Sequence, residues 1–239
     1  MFKEFTTNWF TQCFGHTKSI AIVGNAPSVK NSMLGAIIDN CDVVCRMNQY
    51  QIAGYQNDVG SRTDLYISNY LNPKTLNELE RDGVKAILVS RPPSQKHAYN
   101  VALGKILRNF QQLKKINTVF IHEDDFDELY HMLNIPIDDQ TGRNPTTGLT
   151  SLYCILKHLQ IEKIILIGFN FFDGSHPDGV YYFSRELYNN VTLNELHHIY
   201  HPQDAEKQAF RSLISNHPQV VVSEEIAMLL KLKENVILK

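Results

Sequence analysis

Seven short runs rich in β-branched and apolar residues recur along the chain: SIAIVGN (19–25), CDVVCRMN (41–48), DLYISN (64–69), VKAILVS (84–90), NTVFIHE (117–123), KIILIGFN (163–170) and QVVVSEE (219–225). Several are apolar without a break, as strands covered on both faces are. Segments of helical character separate them, and this alternation predicts an α/β fold with a mostly parallel central sheet flanked by helices. NPTTGLTSLYCILKHLQ (144–160) enters from a polar turn and sets Leu149, Leu152, Ile155, Leu156 and Leu159 along one side, which predicts a helix. The segment 202–216 predicts another, with Pro202 in its first turn and Asp204 and Glu206 where the helix dipole favours negative charge.

No repeat, low-complexity tract or Gly/Ser linker interrupts the 239 residues, so a single domain over 1–239 is expected. Within it, 171–200 forms a long insertion whose FDGSHPDG turn cluster and aromatic YYF suit a loop that covers a substrate. The opening segment, 1–18, carries Phe2, Phe5, Trp9, Phe10 and Phe14 near helical spacing. A helix packed on the domain is the first expectation for it, and a peripheral membrane contact the second.

A formal net charge of −2 supplies no drive toward nucleic acid or anionic lipid. Cys13, Cys41, Cys45 and Cys154 have neither C-x-x-C spacing nor the density of a disulfide scaffold, which suits reduced thiols and a cytoplasmic protein. No signal peptide or run of eighteen apolar residues is found.

In open parallel sheets ligands bind beyond the carboxyl ends of the strands. The first run ends in VGNAPS, where Gly24, Asn25 and Ser28 form a tight turn that offers backbone N–H groups to a phosphate. A redox dinucleotide site wants G-x-G-x-x-G, and Ala26 and Val29 stand in place of the later glycines. The second run ends in Arg46 and Asn48 and the third in Asn69. Together these amides suit a ribose, a pyrimidine or a sugar, although Asn is also a common turn residue.

These same residues carry a family resemblance. IAIVGNAPSVKNSMLGAIIDNCDVVCRMNQYQIAGYQNDVGSRTD (20–64) resembles the large sialyl motif of eukaryotic-type sialyltransferases, glycosyltransferase family 29. NPTTGLTSLYCILKHLQIEKIILIGF (144–169) resembles the small motif. VYYF (180–183) is similar to the aromatic third motif, and HPQDAE (201–206) has the H-x-x-x-x-E form of the very short one. The four stand in the family's order and cover about a third of the chain.

The resemblance implies a Rossmann-like sialyltransferase variant of the GT-A fold. It implies an inverting transferase that moves a sialic-acid-type sugar from a CMP-activated donor to a glycan acceptor and needs no metal or other cofactor. Residue by residue, it implies that Asn25 and Asn48 hold the donor, that Thr147 and Gly148 meet the donor carboxylate or cytidine, and that Tyr181 and Tyr182 lie near the phosphate. His201 is the implied base and Glu206 its support; similarity to bacterial sialyltransferases adds Asn69. Where the animal enzymes carry a disulfide between the two long motifs, this chain has Ile20 and Ile161. With no anchor or stem in the sequence, these departures suggest a bacterial-type cytoplasmic member working on surface polysaccharide or lipooligosaccharide. CMP-Kdo is the alternative donor, and a non-catalytic nucleotide-binding protein the alternative of another class.

The histidine-rich stretch HHIYHPQDAEKQAF (197–210) bears on this choice. Zinc would use His197 and His201 at helical spacing, but Pro202 disfavours a continuous helix through His201 and no third ligand is marked. As a base, a neutral imidazole removes the proton of an attacking hydroxyl near pH 7. A place at a helix start keeps it neutral, while Glu206 opposes this by favouring positive charge. Tyr181 and Tyr182 are open to two assignments, hydrogen bonds to the leaving phosphate or packing in the core. Arg46 and Arg143 are candidates for meeting a carboxylate or for structural ion pairs.

Overall fold

A computed structural model describes residues 3–4, 7–69, 74–92, 116–137, 142–172, 181–183, 200–233 and 237–238. Among these, eight strands form one sheet: β1 (Lys3–Glu4), β2 (Ser19–Val23), β3 (Val43–Met47), β4 (Leu65–Ser68), β5 (Ala86–Val89), β6 (Asn117–Phe120), β7 (Lys163–Ile167) and β8 (Val220–Val222). Their order is β1-β6-β5-β4-β3-β2-β7-β8, and every neighbouring pair is parallel. All seven predicted strands are present. The eighth, β1, spans two residues, too few for any periodicity to register.

Successive side chains on a strand face opposite ways, and the core divides accordingly. Ile20, Ile22, Cys45, Leu65, Leu88, Ile164 and Leu166 belong to one apolar layer. Helices α1 (Thr7–Phe14), α5 (Glu123–Met132), α6 (Thr147–His158) and α7 (Gln203–Asn216) contribute to that layer. Ala21, Val23, Val44, Ile165 and Ile167 face the other way, with residues of α2 (Gly35–Asp39) and α3 (Gln56–Val59). Tyr66, Ile87 and Val89 share that second side with α4 (Leu76–Arg81). Covering on both faces is why these strands are continuously apolar. A last helix, α8 (Glu224–Leu229), follows β8.

The N-terminal helix is a core element. Trp9, Phe10 and Phe14 are all buried, each contributing about 1.5–3 kcal/mol by leaving water. The aromatic side suggested for a membrane contact is therefore turned inward, while Phe2 and Phe5 lie outside the described residues. Most of the 171–200 insertion also lies outside them. Ile20 and Ile161 are buried in the same apolar layer, and none of Cys13, Cys41, Cys45 and Cys154 is joined in a disulfide. No described helix is long and apolar enough to cross a membrane.

Candidate active site

Because every strand runs the same way, their carboxyl ends share one edge. The chain leaves β2 toward β3 on one side and β7 toward β8 on the other, so connections diverge between β2 and β7. Gly24 and Gly168 meet there. A Cβ added to Gly24 would stand 2.1 Å from the Gly168 oxygen, and Gly168 has φ +75°. The Gly24 N–H donates to Ile167 O (2.8 Å) and the Ala26 N–H to Gly168 O (3.0 Å). The Gly24 and Ala26 amides of the VGNAPS turn are thus spent on the neighbouring strand and its loop. A short 3-10 turn, Pro27–Val29, follows.

The predicted asparagines gather beside this seam. Asn25 Nδ2 donates to Met47 O (3.1 Å) and Gln49 O (2.8 Å), tying the end of β2 to the loop after β3, while its Oδ1 has no partner. Asn48 sits at φ +51°, a left-handed conformation that Asn tolerates better than most residues. Its Nδ2 donates to Thr147 Oγ1 (3.3 Å), and its Oδ1 accepts the Asn69 N–H (3.3 Å). One side chain thereby joins the ends of β3 and β4 to the start of α6. Thr146 caps that helix by accepting Leu149 N–H, which leaves the positive end of the dipole beside Asn48. Gly148 has a packing reason as well, since a Cβ there would come within 2.5 Å of the Phe169 ring.

The two tyrosines separate. Tyr182 is buried; its hydroxyl donates to Gln51 O (2.6 Å) and accepts Gln51 N–H (3.0 Å). Burial pushes its phenol up to about 12. Geometry gives Tyr182 the packing assignment and leaves Tyr181, half-buried and stacked on Phe183, as the member closer to solvent. Arg46 is fully buried beneath the edge, its Nε bonded to Arg62 O (3.2 Å).

His201 and Glu206 flank the start of α7; Pro202, where the predicted helix begins, is its cap residue, one position ahead of the observed start at Gln203. His201 Nδ1 lies 2.7 Å from Asn144 O. A carbonyl only accepts, so the neutral ring carries its proton on Nδ1 and its lone pair on Nε2. Phe172 stacks on the imidazole at 5.8 Å and 11°. Burial lowers the His201 pKa to about 4; the bond to Asn144 opposes this and the Arg91 charge adds to it. The imidazole is therefore neutral at pH 7.

Glu206 does not supply the countercharge expected of it. Its carboxylate accepts Thr146 N–H (2.7 Å) and pairs with Thr146 Oγ1 (2.7 Å), so it holds the cap of α6. Burial raises its pKa to about 7 against the lowering effect of those two bonds.

Two residues not singled out from sequence complete this region. The side chain of Asn144 is buried, and its Oδ1 accepts from Arg91 Nη1 (2.9 Å) and Tyr130 OH (2.9 Å). Arg91 follows β5 and was open to notice as a strand-end residue. Among the described residues no group of three or more His, Cys, Asp or Glu is placed to hold a metal ion. His197 and His198 lie outside them.

An open parallel sheet with its polar groups gathered at the carboxyl edge is the architecture of nucleotide-binding α/β proteins. The model of glycosyltransferase family 29 (sialyltransferase) matches residues 7–217, and the chain belongs to that family. It is 27% identical over 218 residues to the type 2 lactosamine alpha-2,3-sialyltransferase of Rattus norvegicus, covering 82% of this chain and 62% of the relative. It is 28% identical over 196 residues to CMP-N-acetylneuraminate-beta-galactosamide-alpha-2,3-sialyltransferase 4 of Mus musculus, covering 73% and 55%. The chain thus spans about 55–62% of the length of these two relatives. A mammalian sialyltransferase solved with Gal-beta-1-3GalNAc-ortho-nitrophenol shares the fold, with a TM-score of 0.56 at 20% identity over 87% of this chain and 70% of that one. The fold is the Rossmann-like sialyltransferase variant of GT-A.

These findings correct three expectations. A bacterial-type member, a role in bacterial surface polysaccharide or lipooligosaccharide synthesis and a cytoplasmic location do not stand, because the relatives are mammalian enzymes. The CMP-Kdo alternative gains nothing from them, since the donor in the mouse relative's name is CMP-N-acetylneuraminate. The physical error lay in reading a compartment from Ile20 and Ile161. Two buried isoleucines stabilise a core by leaving water whatever the redox potential outside, so they carry no information on location.

Proposed function

We propose that this chain transfers a sialic-acid-type sugar from a CMP-activated donor to a hydroxyl of a glycan acceptor, with His201 as the base. The observation that carries this reading is the His201–Asn144 bond of 2.7 Å, which leaves Nε2 as the basic nitrogen of a neutral imidazole. In the step envisaged, the acceptor oxygen forms a bond to the anomeric carbon from the face opposite the nucleotide. The bond to the CMP phosphate breaks with its electron pair, the hydroxyl proton passes to Nε2, and the anomeric configuration inverts. A base of this kind contributes about 10² to 10⁴ in rate.

The rest of the edge suits the donor. The dipole and first N–H groups of α6, at Thr147 and Gly148, favour the donor carboxylate. Asn25, Asn48 and Asn69 surround the place for the nucleotide, and Tyr181 is the candidate hydroxyl for the departing phosphate. Glu206 acts at one remove, by fixing Thr146. The names of the relatives favour a β-galactoside acceptor and an α-2,3 linkage.

The test supplies CMP-N-acetylneuraminate with N-acetyllactosamine or Gal-β-1,3-GalNAc in the presence of chelator. CMP release and a sialylated product of matching mass are expected, with the linkage read by NMR. A protein that binds CMP and releases none with either acceptor would be a nucleotide-binding protein without this activity.

A further inference from the structure

Asn144 links His201 to three other parts of the fold. Its carbonyl accepts from His201 Nδ1 (2.7 Å), and its N–H donates to Tyr200 O (2.9 Å). Its Oδ1 accepts from Arg91 Nη1 and Tyr130 OH, both at 2.9 Å, and its Nδ2 donates to Gly142 O. The same Tyr130 hydroxyl lies 3.0 Å from Arg143 O, so its one proton is shared between the two acceptors. Loop 142–144 is therefore pinned from α5 and from the end of β5 before it meets the histidine. Pro145 follows directly and favours extended backbone at Asn144.

We propose that Asn144, clamped by Arg91 and Tyr130, is the positioning residue of His201, fixing the ring in its Nδ1–H form with Nε2 left to take the acceptor's proton. This rests on His201 being the base. The reach of the clamp follows from the bond pattern. A backbone carbonyl orients an imidazole only as well as it is itself held, and all three polar groups of this side chain's amide and peptide N–H are engaged on one short loop.

Arg91 adds a second effect through its charge. Among the described residues, the ionisable groups on the elements around the ring are Arg91 after β5, Tyr130 of α5, Arg143 beside Asn144, and Glu206 of α7, whose carboxylate is turned onto Thr146. Phe172 and the Asn144 amide are uncharged. Of these groups Arg91 acts on His201 directly, disfavouring the imidazolium. Clamp and charge thus work together: one orients the base, and the other adds to the burial that keeps it unprotonated.

The experiment follows the histidine nitrogens of the full chain by NMR with 15N-histidine, alongside steady-state transfer kinetics. Wild type is expected to show His201 as the Nδ1–H tautomer with no titration near pH 6.5. Asn144→Ala keeps the Arg91 charge and loses the clamp, so kcat should fall about tenfold to a hundredfold with donor KM little changed, and the tautomer signal should become mixed. Arg91→Gln should move the His201 titration up by about one pH unit, whereas Arg91→Lys should not. If Asn144→Ala does not fold, Arg91→Ala, at a half-buried position, removes one of the two bonds to Oδ1 and serves the same reading. A mixed tautomer in wild type, or an unchanged tautomer and kcat in the clamp variants, overturns the proposal. A fixed Nδ1–H tautomer lost on clamp removal, in a protein whose His201→Ala variant still transfers at the wild-type rate, would leave the clamp standing and remove the base assignment instead.

Discussion

After β2, β3 and β4 the sheet edge is lined by neutral amides, and around the start of α7 by two groups that can change charge, His201 and Glu206. On the first half, Asn25 and Asn48 spend their amides on Met47, Gln49, Thr147 and Asn69, and Tyr182 spends its hydroxyl on Gln51. On the second half, burial holds the His201 imidazole down at about 4 and the Glu206 carboxyl up at about 7. The contrast separates two tasks. Neutral side chains fix the geometry of a site without making it sensitive to pH, whereas a base has to be titratable and is kept neutral by withdrawal from water. Glu206 belongs to the first task by its contacts and to the second by its chemistry.

The largest effect on stability that sharpens this contrast is linked to pH. Glu206 titrates at about 7 in the folded chain against an ordinary 4.5, so between those values the folded state holds the extra proton and stability falls as pH rises. His201 titrates at about 4 against 6.5, so between those values the unfolded state holds it and stability rises with pH. In wild type the two oppose each other from about pH 4.5 to 6.5. His201→Ala should uncover the fall and Glu206→Gln the rise, relative to wild type, in denaturant midpoints measured against pH. Each is about 3 kcal/mol across its window, somewhat less for the half-buried histidine. Parallel profiles in all three proteins would break the distinction between the two halves.

A smaller effect is expected at the asparagine joint. Asn48→Ala loses both hydrogen bonds and places a Cβ-bearing residue without a polar side chain at φ +51°, costing about 2 kcal/mol, with no dependence on pH. Urea melts at pH 5.5 and 7.5 check this, and a cost that changes between them would show coupling to the titratable half. Smaller still, Tyr182→Phe should cost about 1 kcal/mol by leaving the Gln51 groups without the hydroxyl. A more than tenfold drop in CMP affinity in that variant would put the hydroxyl on the phosphate instead.

Much of this was legible along the chain. Seven strands announced themselves because burial on both faces requires runs without polar interruption, and α6 and α7 fell within their predicted segments. The neutral half of the edge was legible too, because Asn25, Asn48 and Asn69 sit at strand ends. Their partners were not, since Asn48 meets Thr147 across ninety-nine positions of sequence. Glu206 was found by its spacing from His201, yet its partner is Thr146, on a different helix. Asn144 gave no signal because the atom that meets His201 is a backbone carbonyl, which every residue has. Gly24 and Gly148 had reasons visible only in three dimensions, the Gly168 backbone and the Phe169 ring.

The central claim is that a neutral His201 removes the acceptor's proton while the amide half binds the donor. The most direct test compares wild type with His201→Ala at saturating CMP-N-acetylneuraminate and galactoside acceptor, with CMP affinity measured on both. A fall in CMP release of about 10² to 10⁴ with CMP affinity retained is the expected result. Equal rates in the two proteins would contradict it.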